Sequence, residues 1–165
     1  MQDKLILDAT CGGRMMWFDK NNPLAMFIDS RELEPEMVGK GRNARRFGVK
    51  PDRVMDFRNM DFPDDTFYLT VFDPPHLKNN AAGYMSVKYG KLPKDWPAFL
   101  RDGFKECWRV TKPYGVIVFK WCETEISTTK VIEAIGRQPL FGHTTNNKGT
   151  TKWLCFMKLP NEAAV

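Results

Sequence analysis

The stretch Val71-Phe72-Asp73-Pro74-Pro75-His76-Leu77 sets an apolar run directly against a carboxylate, two prolines and an imidazole. Short apolar runs suit buried strands, and consecutive prolines end a strand because they offer no N–H to the ladder. The run Tyr68–Phe72 therefore reads as a strand that stops in a rigid turn. Three earlier runs finish in the same residue type: Leu5–Leu7 is followed by Asp8, Leu24–Ile28 by Asp29, and Arg53–Met55 by Asp56. Further runs lie at Val116–Phe119, Pro139–Phe141 and Trp153–Met157.

Segments of helical character separate these runs. Asp95–Val110 places Trp96, Phe99, Leu100, Phe104, Cys107 and Trp108 on one stripe, with Asp95 at the N-cap and Pro97 in the first turn. Thr124–Ile135 reads as a second helix closed by Gly136, and Glu34–Phe47 as a third, broken only by Gly39 and Gly41 and opened by Pro35. Strands alternating with helices imply a mostly parallel sheet covered on both faces. The turn-rich GHTTNNKGTT between the last two runs is too short for a crossover helix, so an antiparallel hairpin is expected to close the sheet.

In an open parallel sheet the four aspartates fall along one edge, at the carboxyl ends of the strands, where ligands bind at the reversal of strand order. Aspartate also follows strands because it starts turns and caps helices. Four in succession, with Gly12-Gly13 after the first and Pro74-Pro75 after the last, favour a ligand edge. Four carboxylates so close would repel unless donors or positive charge face them.

Composition narrows the classes. A chain of 165 residues fits one domain, spanning 1–165, which buries about two thirds of its unfolded surface. No apolar run approaches the roughly 20 residues of a membrane span, and the start MQDKLILDATCGG lacks a signal-peptide layout, so a cytoplasmic protein with no membrane partner is expected. Cys11, Cys107, Cys122 and Cys155 form no C-x-x-C pair and only two histidines accompany them, so reduced thiols and no metal are expected. The balance of 25 basic to 20 acidic residues leans modestly toward polyanionic partners. The densest basic stretch, Lys40, Arg42, Arg45, Arg46, Lys50 and Arg53, would be spread around a helix there and reads as a solvated face.

From Leu5 to about Lys158 the sequence resembles the class I S-adenosylmethionine-dependent methyltransferases, in the branch that methylates amino groups of nucleic-acid bases. The residues that carry the likeness are Asp8-Ala9-Thr10-Cys11-Gly12-Gly13, Asp29, Asp56 with Phe57, and Asp73-Pro74-Pro75-His76. The resemblance implies an α/β, Rossmann-like doubly wound sheet, mostly parallel with a C-terminal antiparallel hairpin strand, and S-adenosyl-L-methionine as cofactor. It implies that Asp8, Thr10, Cys11, Gly12 and Gly13 form the cofactor loop, that Asp29 holds the ribose hydroxyls, and that Asp56 and Phe57 meet the adenine. Where the family commonly has a second loop glycine this chain has Arg14, which either pairs with the methionyl carboxylate or points to solvent.

An exocyclic amine of a base is a poor nucleophile because its lone pair is delocalised. A transfer site must fix both N–H bonds so that the lone pair can leave the ring. By this resemblance Asp73 accepts one and the Pro74 carbonyl the other, with Pro75 stiffening the turn. The fourth residue, commonly aromatic in the family, is His76 here. It either fills the stacking slot or also takes a proton.

The following segment, Leu77–Lys94, interleaves Tyr84 and Tyr89 with Lys78, Lys88, Lys91 and Lys94. That pattern suits a loop closing over a base and its phosphates, or an ordinary solvated loop. Lys120 and Trp121, at the end of the fifth strand, are further candidates for substrate contact. The expected acceptor is adenine in DNA, resembling small phage-type enzymes. Ribosomal or transfer RNA base methylation, protein glutamine methylation and a non-catalytic cofactor-binding subunit are the alternatives. No recognition insertion is visible, so Leu77–Lys94 carries the specificity, or a second copy or a partner chain completes it.

Overall fold

The structure is a computed structural model that describes residues 3–78, 84–143 and 150–160. Residues 79–83 of the loop after the proline turn, with Gly83, and 144–149 of the C-terminal turn lie outside the described residues.

Five strands form the parallel part of the main sheet: β1 (Ile6–Asp8), β2 (Ala25–Asp29), β5 (Arg53–Val54), β6 (Phe67–Phe72) and β7 (Thr111–Cys122). Two more, β8 (Phe141–Gly142) and β9 (Thr151–Met157), add antiparallel at the β7 edge. The order is β5-β2-β1-β6-β7-β9-β8, so the chain winds outward from β1 in both directions. The reversal lies between β1 and β6, where ligands collect in such sheets. Each apolar run predicted as a strand overlaps one, although Pro139–Phe141 contributes only Phe141 to β8, and the closing antiparallel hairpin is present.

One face is covered by α2 (Trp96–Val110) and α3 (Thr128–Ile135). From α2, Leu100, Phe104, Cys107 and Val110 pack with Leu7, Phe72, Phe119, Trp121, Leu154 and Phe156, joined by Val131 and Ile135 of α3. Burying these side chains, at roughly 2 kcal/mol for each large one, is what seats the helices. Asp95 stands at the N-cap of α2 but makes no capping bond through its side chain. Expected from Thr124, α3 starts four residues later, at Thr128, whose N–H and hydroxyl both bond Glu123 Oε2, and it closes on Gly136 in the left-handed conformation.

The opposite face differs from the expectation of helical cover. Over β1 and β2 it is closed by irregular chain: Trp17 packs edge-on to Phe27 with ring centroids 4.8 Å apart, beside Cys11 and Ala25. The segment Glu34–Phe47, expected to be a helix, is instead a separate antiparallel hairpin of β3 (Leu33–Val38) and β4 (Arg45–Val49) around a 3-10 turn at Gly41–Asn43. Gly39 and Gly41 supply the reason, because both take positive φ, 103° and 55°, which suits a reversal and is unfavourable inside a helix. A short helix, α1 (Tyr84–Tyr89), follows the proline turn.

Candidate active site

The loop after β1 is stitched into the sheet edge on both sides. Ala9 N–H donates to the Val71 carbonyl at 3.0 Å and Cys11 N–H to that of Ile28 at 2.9 Å. Gly12, with φ 47°, turns its N–H onto Asp29 Oδ2 at 3.0 Å. The Thr10 hydroxyl accepts the N–H of Asp73 at 2.8 Å, which ties the start of the proline turn to the same loop.

Between these elements lies a cavity of about 300 Å³, at the small end of the range for ligand pockets. Its floor is Thr10, Cys11, Gly12 and Gly13. Asp29 stands on one side and Asp73 with Pro75 on the other, while Met15, Met16, Phe47, Phe57 and Phe99 form apolar wall. Lys88, Tyr89 and Lys120 complete the lining, with Lys120 beside Asp73. Cys11 is 5% exposed, and its burial drives the thiol far above its ordinary range, so it stays neutral there.

Each strand-end carboxylate has its own answer to the repulsion that the sequence raised. Asp8 is fully buried behind the loop, where Trp17 Nε1 donates to Oδ2 at 2.7 Å and Thr10 N–H to Oδ1 at 3.2 Å. Burial, helped by Asp73 and Asp29 and opposed by those two donors, pushes its pKa up to about 7, so it is largely protonated in mildly acidic solution. Asp29 takes four donors: Arg31 N–H at 3.0 Å and Nε at 2.9 Å on Oδ1, and Gly12 N–H at 3.0 Å and Arg31 Nη2 at 3.2 Å on Oδ2. Arg31 Nη1 continues to the Val87 carbonyl of α1 at 2.9 Å. Asp73 accepts Lys120 Nζ at 2.6 Å. Its carboxyl is pushed above the usual range chiefly by burial, which Lys120 opposes.

Asp56 is placed differently from the expectation. Arg58 grips it through Nε and Nη2, which holds its carboxyl low, and it does not line the cavity. The neighbouring Phe57 does, packed edge-on against Phe99 at 5.0 Å. Both arginine clamps share the pattern Asp-x-Arg, in Asp29-Ser30-Arg31 and Asp56-Phe57-Arg58, and that spacing was the sequence signal for Arg31.

Other candidates also sit elsewhere. Arg14 lies 3.9 Å over the Phe27 ring and donates to the carbonyls of Lys20 and Lys50 and to Asp52 Oδ1. It is a brace beneath the loop, neither at the cavity nor free in solvent. His76 is 6% exposed, packed with ring centroids 5.2 Å from Tyr89 and 6.3 Å from Trp121, and offers no open face for stacking. Burial also pulls its pKa down. Besides Phe47, Phe57 and Phe99, the aromatic that lines the cavity is Tyr89. Trp121 is wholly buried, with Nε1 on the Ile126 carbonyl at 2.9 Å, so it belongs to the core and not to substrate. Pro74 is buried and Lys78 exposed, while Tyr84 meets Phe47 edge-on at 6.3 Å; none of the three lines the cavity.

The strand order, the reversal point and the loop-and-turn cavity together define the Rossmann-like fold shared with methyltransferases. Over 95% of its length the chain is similar to the PH0226 protein from Pyrococcus horikoshii, covering 82% of that chain at 15% identity with a TM-score of 0.58. It is also similar to a SAM-dependent methyltransferase from Leishmania major, over 93% of this chain and 64% of that one, at 13% identity and a TM-score of 0.52. At such identities the likeness is one of fold. No family model matches the chain, and no curated protein matches it. Among the described residues no helix is long and apolar enough to cross a membrane.

Proposed function

We propose that the cavity binds S-adenosyl-L-methionine and that the protein transfers a methyl group to the exocyclic amine of a nucleobase, adenine in DNA foremost. The observation that carries this reading is Asp73. It stands on the cavity wall at the head of a two-proline turn, anchored through its backbone by Thr10 and through its carboxylate by Lys120.

The residues present fit the cofactor. Asp29 is a buried acceptor at the end of β2, suited to a pair of ribose hydroxyls once Arg31 gives way, and Phe57 with Phe99 forms an apolar slot for a flat ring. Gly12 and Gly13 let the backbone come close to a ligand lying on the cavity floor. When bound, the cofactor supplies an electrophilic methyl group on sulfur.

The chain's own contribution is positioning. Asp73 accepts an N–H of the amine and is suited to receive the proton that leaves once the new N–C bond has formed, because burial raises its affinity for one. Lys120 holds that carboxylate at a fixed angle. Tyr89 and Pro75 flank the approach, and Tyr89 provides the stacking surface that the fourth residue of the tetrad, His76, does not. The test is to incubate the protein with radiolabelled S-adenosylmethionine and, separately, duplex DNA, ribosomal RNA and protein extract. Label is expected in DNA; label in none of the three would overturn the reading.

A further inference from the structure

The β3–β4 hairpin has a charge distribution and a placement that the reaction leaves unused. Residues 37–51 contain Lys40, Arg42, Arg45, Arg46 and Lys50 and no acid, so this short stretch holds the whole formal excess of +5 and leaves the rest of the chain with 20 cations and 20 anions. On a helix these side chains would have been spread around the axis. The hairpin gathers four of them, Lys40, Arg42, Arg45 and Arg46, toward one end, with Lys50 at the base beyond Val49; Glu34 and Glu36 lie toward the base of β3 while Lys40 and Arg42 occupy the tip.

The base of the hairpin is built into the cavity. Phe47 is 7% exposed and lines it, close enough to Gly13 that a Cβ there would stand 3.0 Å from the ring. Arg45, two residues along β4, projects on the same side as Phe47, as does its cross-strand partner Val38, so that face runs from the cavity wall toward the tip. Lys40, Arg42, Arg45 and Arg46 are all exposed. Arg45 spends one nitrogen on the carbonyls of Arg42 and Ala44, which braces the turn. Among the described residues no ion pair engages Lys40, Arg42 or Arg46. Exposed cations that no described ion pair engages raise the positive potential of this end, and an external anion lowers it.

Taking the nucleobase reading as given, we propose that this hairpin is a nucleic-acid-binding arm: Lys40 and Arg42 at the tip hold the phosphate backbone beside the nucleotide whose base enters the cavity, and Arg46, one residue out of phase with Phe47, meets it from the other face of the hairpin. From Phe47 to the tip the arm extends about 10 Å, the rise of roughly three base pairs. Its contacts are to phosphate, so it supplies affinity and placement and leaves base choice to the cavity.

The test is fluorescence anisotropy on a 30-base-pair duplex, on single-stranded DNA and on RNA of the same length, across a salt series. Wild type is compared with Lys40→Ala/Arg42→Ala/Arg46→Ala and with Lys105→Ala/Lys130→Ala, a control on exposed helix positions. The triple variant is expected to bind on the order of a hundredfold more weakly at 0.1 M salt and to lower the slope of log K against log salt by about 2.7. Single Arg42→Gln and Arg46→Gln variants should each lower it by about 0.9. The control and the affinity for S-adenosylhomocysteine should not change. The strand type that shows the largest loss identifies which nucleic acid the arm holds. A triple variant that binds all three nucleic acids as wild type does overturns the arm, as does a wild type that binds only anionic phosphatidylglycerol vesicles. Methyl transfer to the same duplex, read in parallel, reports on the site separately: binding that depends on the hairpin without transfer keeps the arm and removes the nucleobase reading.

Discussion

Replacing Asp73 with Asn separates its pairing with Lys120 from the role in methyl transfer proposed for it. The carboxylate faces Lys120 Nζ at 2.6 Å, with side-chain exposures of 15% for the aspartate and 19% for the lysine. Asn keeps the shape and one acceptor oxygen but leaves the ammonium without its counter-charge. Removing one partner of a fully buried pair costs about 3–5 kcal/mol, and the partial exposure here brings the expected loss in unfolding free energy to about 2 kcal/mol. The loss in transfer should be larger, on the order of a hundredfold to a thousandfold in kcat, because the charge that holds the amine is gone. Lys120→Met in the Asp73→Asn background should restore most of the stability, read by urea unfolding, and none of the transfer, read with labelled cofactor. In the wild type, transfer should fall with acidification as Asp73 takes a proton, and begin to fall at a higher pH than an ordinary carboxylate would require, since burial raises its pKa. Near-normal turnover in Asp73→Asn would refute the mechanism. A double variant that recovers turnover along with stability would show that the acid serves only to hold the lysine.

Other outcomes follow from the same geometry. Arg14→Ala should lower stability by about 1–3 kcal/mol in urea unfolding and leave cofactor affinity within about twofold, because its partners are Phe27, Asp52 and two carbonyls; a large loss of affinity in a stable protein would restore a direct contact with the methionyl carboxylate. Arg31→Ala removes two of the four donors on Asp29 and should tighten S-adenosylhomocysteine binding by roughly fivefold in calorimetry; weaker binding would show that Arg31 holds the ligand and does not compete with it. Asp8 has its pKa raised from 3.8 to about 7, so between those values the folded protein keeps a proton that the unfolded chain has lost. Its contribution to stability is therefore present at low pH and declines as pH rises, by at most about 1.4 kcal/mol per unit. Urea unfolding from pH 5 to pH 8 should show that slope in wild type and a flatter one in Asp8→Val; equal slopes would place the titration elsewhere.

The parts of the fold legible in the sequence are those set by local pattern. The four apolar runs that end in aspartate are strands or lead directly out of one, and the stripe from Trp96 to Trp108 is the helix over the core. The hairpin of residues 33–49 was not legible as such, because few of its residues oppose a helix. What decides it is Phe47 seated against Gly13 and a pair of glycines that reverse the chain, one a distant contact and the other a backbone angle. At the site, Asp29, Asp73 and the glycine loop lie where their spacing put them. His76 does not present its ring because Tyr89 and Trp121, 13 and 45 residues away in sequence, close around it. Of Lys120 and Trp121 only Lys120 reaches the cavity, because neighbours in a strand face opposite ways, a consequence that period two alone carries.

The role proposed for Asp73, directing a methyl group onto the amine of a nucleobase, can be read from the product. Duplex DNA treated with the protein and S-adenosylmethionine can be digested to nucleosides and analysed by mass spectrometry, with Asp73→Ala as the parallel sample. The expected result is an adenosine nucleoside heavier by one methyl group on its exocyclic nitrogen in the wild-type digest and absent from the variant. A methylated nucleoside of equal yield in both, or a digest without one while another class of acceptor takes up the label, would contradict that role.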